Sequence, residues 1–305
     1  MKLDFVCIGA QKAGTTTLHD VLKEHPDIYL PPRKEAHFFD VNERYEKGID
    51  YFFSTFFETY NGEKCVGNIN PNLHMNTRSI ERLYNEFGED LKIIFILRNP
   101  VKRAYSHYLM SKRRGYEEDS FFEAIRKEEQ RISNPKSYVG YETNEIGHYE
   151  INHFGYIKRS KYSEVVMKLY ELYPKKNIKI ILFEDFIFDK LKQINEVLYF
   201  LNLKPLGKSD VVFSKSNVAT EPRNEWIRDV IYKPNPLKKM IGLFLTKAIK
   251  EFLVDKLNFL NSRKLKDCEK NIEEEELKVV YNSYFKEEIN SLEVLLNKNL
   301  DKWKV

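Results

Sequence analysis

The sequence predicts an α/β fold: a parallel sheet flanked by helices. Three apolar runs carry that prediction. Phe5-Val-Cys-Ile8 is short and stops at Gly9, as a buried strand does. Leu91 to Leu97 is a continuous apolar run, the signature of a central parallel strand, and Ile178 to Phe183 is a third. Amphipathic stretches at 77–87 and 160–173 separate them, and strands alternating with helices build parallel sheets.

In chain order, the first strand runs into Gly9-Ala-Gln-Lys-Ala-Gly14-Thr-Thr. A helix follows over 16–24, with Leu18, Val21 and Leu22 on one side. A glycine-bearing strand-to-helix turn points backbone N–H groups into a hollow where anions bind. The nucleotide P-loop pattern is G-x-x-x-x-G-K-[ST]. Gly9, Gly14 and Thr16 keep its spacing, but Thr15 takes the lysine position and the lysine sits inside the loop as Lys12. That change points away from ATP or GTP. On the loop alone two readings stand: a site for one compact anion, or a βα turn with no ligand.

Ile28 to Leu30 reads as a short strand broken by Pro31-Pro32. Arg33-Lys-Glu-Ala-His-Phe-Phe-Asp40 then places two cations, a carboxylate and an imidazole together before two aromatics. Such a cluster is either a general base in a partly apolar setting or a solvated, salt-bridged loop. The aromatics of 45–62 read mainly as packing, with some available as the wall of an acceptor cleft. Val66-Gly-Asn-Ile-Asn-Pro-Asn-Leu73 offers Asn70 and Asn72 as neutral hydrogen-bonding groups.

The strand at 91–97 ends in Arg98-Asn-Pro100, and ligands of α/β sheets bind beyond the carboxyl ends of strands. Pro100 opens a helix. Ser106 lies eight residues past Arg98, about one and a half turns along that helix. Ser120-Phe-Phe-Glu123 is a capping box opening a helix to about Ile132. Residues 133–155 read as an irregular acceptor-side loop. Further helices are expected at 190–201, at 236–260 with a basic amphipathic pattern, and at 274–303. The 236–260 stretch reads as packing on the domain, with peripheral membrane contact as the alternative. We read 1–305 as a single domain, with 213–305 a helical C-terminal extension packed on it.

Composition narrows the function. With 50 Lys and Arg against 46 Asp and Glu, the chain has a net charge of +4. That is mildly basic, and short of the concentrated basic face that nucleic acid requires. Cys7, Cys65 and Cys268 show no metal spacing and suggest a reducing compartment. No leader and no apolar run of about 18 residues is evident, so the expected location is cytoplasmic.

Two motifs together resemble the sulfotransferases that use 3′-phosphoadenosine 5′-phosphosulfate (PAPS). Gln11-Lys12-Ala13-Gly14-Thr15-Thr16 is similar to their 5′-phosphosulfate loop. Arg98-Asn-Pro-Val-Lys-Arg-Ala-Tyr-Ser106 is similar to their 3′-phosphate motif. Lys34-Glu-Ala-His-Phe-Phe39 resembles the heparan-sulfate type. The resemblance implies the P-loop-like sulfotransferase fold and transfer of a sulfuryl group to an acceptor hydroxyl, on a glycan or sugar precursor. It makes Glu35 the base, His37 an assisting residue, Lys12 a charge stabiliser and Lys34 a substrate contact. The donor contacts it implies are Gln11 to Thr17, Arg98, Ser106, Tyr162, Ser216, Asn217 and Arg223. No metal is implied. Where the family often has Gly-Glu-Lys, this chain has Gly67-Asn68-Ile69, which argues against assuming a heparan-like acceptor. The alternatives are a P-loop-type kinase or NTPase, and a catalytically silent nucleotide- or glycan-binding protein.

Overall fold

A computed structural model gives the fold. It describes residues 1–136, 143, 145–211, 213, 220–233, 253–254, 256–257, 259–264 and 272–304. The chain divides into two compact units. The first comprises Met1–Arg103, Arg159–Ser216 and Val279–Val305, and the second Ala104–Lys158 and Asn217–Lys278.

The first unit is built on a parallel sheet of β1 (Phe5–Gly9), β2 (Ile28–Tyr29), β3 (Cys65–Ile69), β4 (Lys92–Leu97) and β5 (Ile178–Leu182), in the order β2-β3-β1-β4-β5. The apolar runs at 5–8, 91–97 and 178–183 therefore became strands as expected. β3 was not legible, because Gly67 and Asn68 interrupt its apolar character. Its neighbours explain the glycine. Phe5 pairs with Gly67 in register, and a Cβ at 67 would lie 2.2 Å from the Phe5 ring. All five residues of β1 are buried, as are all five of β3.

Helices of this unit include α1 (Thr15–Leu22), α2 (Ile49–Phe56), α3 (Thr77–Phe87), α4 (Pro100–Arg113, which begins here), α5 (Ser163–Leu172), α6 (Phe183–Phe188), α7 (Lys190–Phe200) and α8 (Lys286–Leu296). Asn76 caps α3 by accepting from Ser79 N. Glu288 of α8 accepts from the backbone N–H groups of Tyr162 and Ser163, at 2.6 and 2.8 Å, placing a carboxylate at the N-terminus of α5. Phe38, Phe39, Phe52 and Phe57 pack ring to ring in the core, so these aromatics do serve packing. The C-terminal stretch is not one helix. A π-helical turn at Tyr281–Phe285 precedes α8, and Asn297 ends α8 in the left-handed region at φ 48°. A 3₁₀ turn, Asp301–Trp303, then buries Trp303.

In the second unit, the capping box at Ser120 and Glu123 opens the helix Phe121–Ser133. Within the stretch read as irregular, His148–Phe154 is helical, started by Gly147 at φ 87°. A helix at Glu225–Tyr232 lies beside a two-stranded antiparallel ribbon, Thr220–Pro222 with Ser262–Lys264. Of the helix expected over 236–260, residues 236–252, 255 and 258 lie outside the described residues, and the described ones are helical. Among the described residues, no helix is long and apolar enough to cross a membrane.

Candidate active site

The site begins at the carboxyl end of β1. Ala10 N donates to Ile96 O of β4 at 2.8 Å, tying the loop to the neighbouring strand. Lys12 (φ 74°) and Gly14 (φ 85°) both turn through the left-handed region. Gly14 is forced twice over, since a Cβ there would also meet the Phe186 ring at 3.1 Å. Helix α1 starts immediately afterwards at Thr15.

Two arginines grip the loop by its carbonyl oxygens. Arg98, at the end of β4, donates from Nη1 to Lys12 O at 2.8 Å. Arg103, fully buried, donates from Nε to Gln11 O at 3.1 Å and from Nη1 to Ser160 Oγ at 3.3 Å. Arg98 also stacks over the Phe183 ring, 4.8 Å from its centroid. Burial holds its guanidinium below the usual arginine range. Behind it, the buried Tyr162 hydroxyl donates to Arg98 O at 3.1 Å. Trp303 and Asn99 both engage Glu184, at 3.1 and 3.2 Å, so the C-terminal turn braces this edge.

The cluster at 34–40 reaches the same loop. Lys34 Nζ donates to Thr16 Oγ1 at 3.0 Å and lies 3.5 Å from Thr15 Oγ1. Its other neighbour is Glu35, 3.9 Å away. Burial lowers the Lys34 pKa, and the Glu35 carboxylate partly restores it. Glu35 remains a third exposed, so its carboxylate is open to an incoming group. His37 Nε2 lies 3.8 Å from Glu35, and His37 Nδ1 is 2.7 Å from Asp40. Asp40 is buried and accepts at both oxygens, from His37 Nδ1 and from Asn70 Nδ2 at 3.2 Å. A carboxylate beside Nδ1 fixes the proton there and leaves Nε2 toward Glu35. The row continues inward: Asn72 N donates to Asn70 Oδ1 at 3.1 Å, and the Arg159 guanidinium donates to Asn72 Oδ1.

The structure thus brings Gln11, Lys12, Gly14, Thr15, Thr16, Lys34, Glu35, His37 and Arg98 into one neighbourhood of the first unit. Ala13 is fully buried beneath the loop, and Thr17 is half-buried on α1. Asn70 and Asn72 are buried, with their side chains spent inside the protein. Ser106 lies half-buried on α4, past the division between the units. Arg223, in the second unit, is exposed and donates from Nε to Ser262 O at 3.2 Å. Ser216 and Asn217 lie outside the described residues. Sequence reasoning missed Asp40 and Arg159. Asp40 had a usable signal, an aspartate three residues after the histidine. Arg159 had none.

A glycine-bearing strand–loop–helix at the carboxyl end of the central strand of a parallel sheet, with a carboxylate–imidazole–carboxylate row beside it, is the candidate site of this α/β fold. The sequence model of the sulfotransferase domain matches residues 2–231, and the chain belongs to that family. It is similar to the membrane-associated sulfotransferase kil1 of Dictyostelium discoideum, at 33% identity over 110 residues, covering 35% of this chain and 23% of that protein. It is also similar to heparan sulfate glucosamine 3-O-sulfotransferase 5 of Mus musculus, at 25% identity over 66% of this chain and 53% of that one. The chain thus spans about a quarter to a half of these relatives' length. Among solved structures, a sulfotransferase from Alicyclobacillus acidocaldarius shares the fold. Its TM-score is 0.68, its identity 24%, and the match covers 99% of each chain.

Proposed function

We propose that the chain transfers a sulfuryl group from PAPS to an acceptor hydroxyl, on a carbohydrate, with Glu35 as general base. The observation that carries this reading is one unbroken row. Thr16 Oγ1 meets Lys34 Nζ at 3.0 Å, Lys34 meets Glu35 at 3.9 Å, and Glu35 meets His37 at 3.8 Å. It joins an anion loop directly to a proton acceptor.

The donor set suits PAPS. The loop offers hydroxyls and cations, and its left-handed turn at Gly14 is strained and crowded for any residue with a Cβ. The loop residues Gln11 to Thr17, with Lys12 and Lys34, would hold the phosphosulfate end. Arg98 and Ser106 would hold the 3′-phosphate, with Tyr162 behind Arg98 and Ser216, Asn217 and Arg223 as further contacts. When bound, PAPS supplies the sulfuryl group and a phosphate leaving group.

The residues of the chain then have separate tasks. Glu35 takes the proton of the acceptor hydroxyl. His37, its ring orientation fixed by Asp40 at Nδ1, is the assisting residue beside Glu35. Lys12, Lys34 and the two threonines balance negative charge growing on the donor side, the kind of preorganised stabilisation that carries most group transfers. A carbohydrate acceptor is supported by the heparan sulfate glucosamine relatives named above. Asn68 and Ile69 make heparan itself a poor assumption.

The test is transfer of labelled sulfate from PAPS across a panel of oligosaccharides, lipid-linked sugars and small alcohols. Transfer to a sugar hydroxyl is expected. Magnesium-dependent ATP turnover in place of transfer would favour a kinase, and tight binding of desulfated donor without transfer to any acceptor would favour a silent binding protein.

A further inference from the structure

We propose that the second unit docks on an anionic lipid surface through an exposed apolar face made by Trp226, Val230, Leu253, Leu257, Phe259 and Leu260. This inference stands apart from the sulfuryl-transfer reading.

The face draws on two segments that the structure fastens together. Asn224 N donates to Asn261 Oδ1 at 2.8 Å, Asn261 Nδ2 donates to Asn224 O at 2.9 Å, and Arg223 N donates to Asn261 O at 2.6 Å. The ribbon of 220–222 with 262–264 continues this clamp. On one side of it Trp226 and Val230 stand one helical turn apart and are 73% and 44% exposed. On the other, Leu253, Leu257 and Leu260 recur at helical spacing, and Phe259 is 81% exposed. The opposite side of the Glu225–Tyr232 helix is spoken for: Ile231 is buried, and Tyr116 donates to Tyr232 O at 3.0 Å. Apolar side chains held open in this way mark an interaction surface.

Charge selects the occupant. Residues 236–264 carry seven Lys and Arg against two carboxylates, Glu251 and Asp255. The exposed Lys256 and Arg263 flank the apolar residues directly. An apolar face with Lys256 and Arg263 near it and Glu225 the exposed carboxylate beside Trp226, on a stretch of net positive sequence, matches the boundary of a negatively charged bilayer, where apolar side chains enter the acyl edge and cations meet headgroups.

Tryptophan placement makes the test direct. The chain has two tryptophans, and Trp303 is buried at 2% exposure, so a change in emission on binding reports Trp226. The full chain is mixed with phosphatidylcholine vesicles, with or without 30% phosphatidylglycerol, and followed by sedimentation and fluorescence. Binding to the anionic vesicles with a blue shift is expected, at least tenfold tighter than to neutral ones and weakened by salt. Phe259→Ser with Leu260→Ser should lower binding at least tenfold, and Lys256→Glu with Arg263→Glu should do the same. The Phe259→Ser, Leu260→Ser double should keep the wild-type melting temperature, since both altered side chains are exposed. Three results would overturn the proposal: no binding to anionic vesicles, equal binding to neutral ones, or a dimer in light scattering that Phe259→Ser dissolves.

Discussion

Replacing Lys34 by Met separates the chemistry of the site from its stability. The substitution keeps the length of the side chain and removes the ammonium. Two interactions disappear. The charged hydrogen bond to Thr16 Oγ1, at 3.0 Å, is of a kind worth about 1.5–3 kcal/mol. The attraction to Glu35 at 3.9 Å is worth about 1 kcal/mol in water-like surroundings and about 4 at intermediate dielectric. Glu35 is a third exposed, so the lower figure applies. The sum, about 2.5–4 kcal/mol, corresponds to a roughly 70- to 1,000-fold fall in kcat if the interactions strengthen along the reaction. Stability should move little or rise, because burying the ammonium is itself unfavourable and burial lowers its pKa. The linkage has a definite sign. Between the lowered folded value and the ordinary 10.5, the unfolded chain binds the extra proton, so the contribution of Lys34 to stability rises with pH in that window. Its contribution to catalysis runs the other way, complete below the folded pKa and lost as pH climbs through it. Initial rates from pH 6 to 10 and thermal melts of both proteins measure these effects. A rate within threefold of wild type, or a melting temperature more than about 5 °C lower, would refute the assignment, the latter because a drop of that size means Lys34 holds the fold.

Glu35→Gln should lower turnover by roughly 10²–10⁴ while the affinity for desulfated donor, measured by calorimetry, changes less than threefold. Full activity would remove Glu35 from the role of base. Arg98→Ala should weaken binding of 3′,5′-adenosine bisphosphate far more than binding of AMP, and equal losses would argue against a 3′-phosphate site. Asp40→Asn presents an amide to a His37 Nδ1–H and an Asn70 amide that both donate to the native carboxylate. It should cost about 1–3 kcal/mol of stability, read by denaturant titration, and lower kcat with KM little changed. An unaltered kcat would confine Asp40 to the core.

The strands and helices legible in the sequence were those with one uninterrupted signal. β1 and β4 are buried on both faces, β5 is half-buried at the end of the sheet, and all three are rich in Ile, Leu, Val and Phe. β3 occupies an equally buried place, but its neighbour Phe5 fills the space over Gly67, and the resulting Cys-Val-Gly-Asn-Ile has no apolar run. The helix at His148–Phe154 hid for a related reason, since His, Tyr and Asn carry little helical preference and the element is fixed by packing. At the C-terminus the apolar stripe was visible while the breaks in it were not. A stripe records which side faces the core, and says little about a π-helical turn or a left-handed Asn297.

The site divides along the same line, between what lies close in sequence and what folding brings close. Lys34, Glu35, His37 and Asp40 are within seven positions, so their row could be read almost entirely from spacing. The grip on the anion loop could not, because Arg103 reaches Gln11 across 92 residues and Arg98 reaches Lys12 across 86. On the proposed function, those two bonds bear on the chemistry as well as on the shape. A carbonyl oxygen turned toward a bound anion would repel it, and each arginine takes one such oxygen as a hydrogen-bond acceptor. A guanidinium has five N–H donors, so Arg98 can hold Lys12 O and still offer charge to a phosphate. Lysine at position 98 would keep the charge and lose the fork. Arg98→Lys should therefore loosen the loop and weaken binding at the phosphosulfate end as well as at the 3′-phosphate.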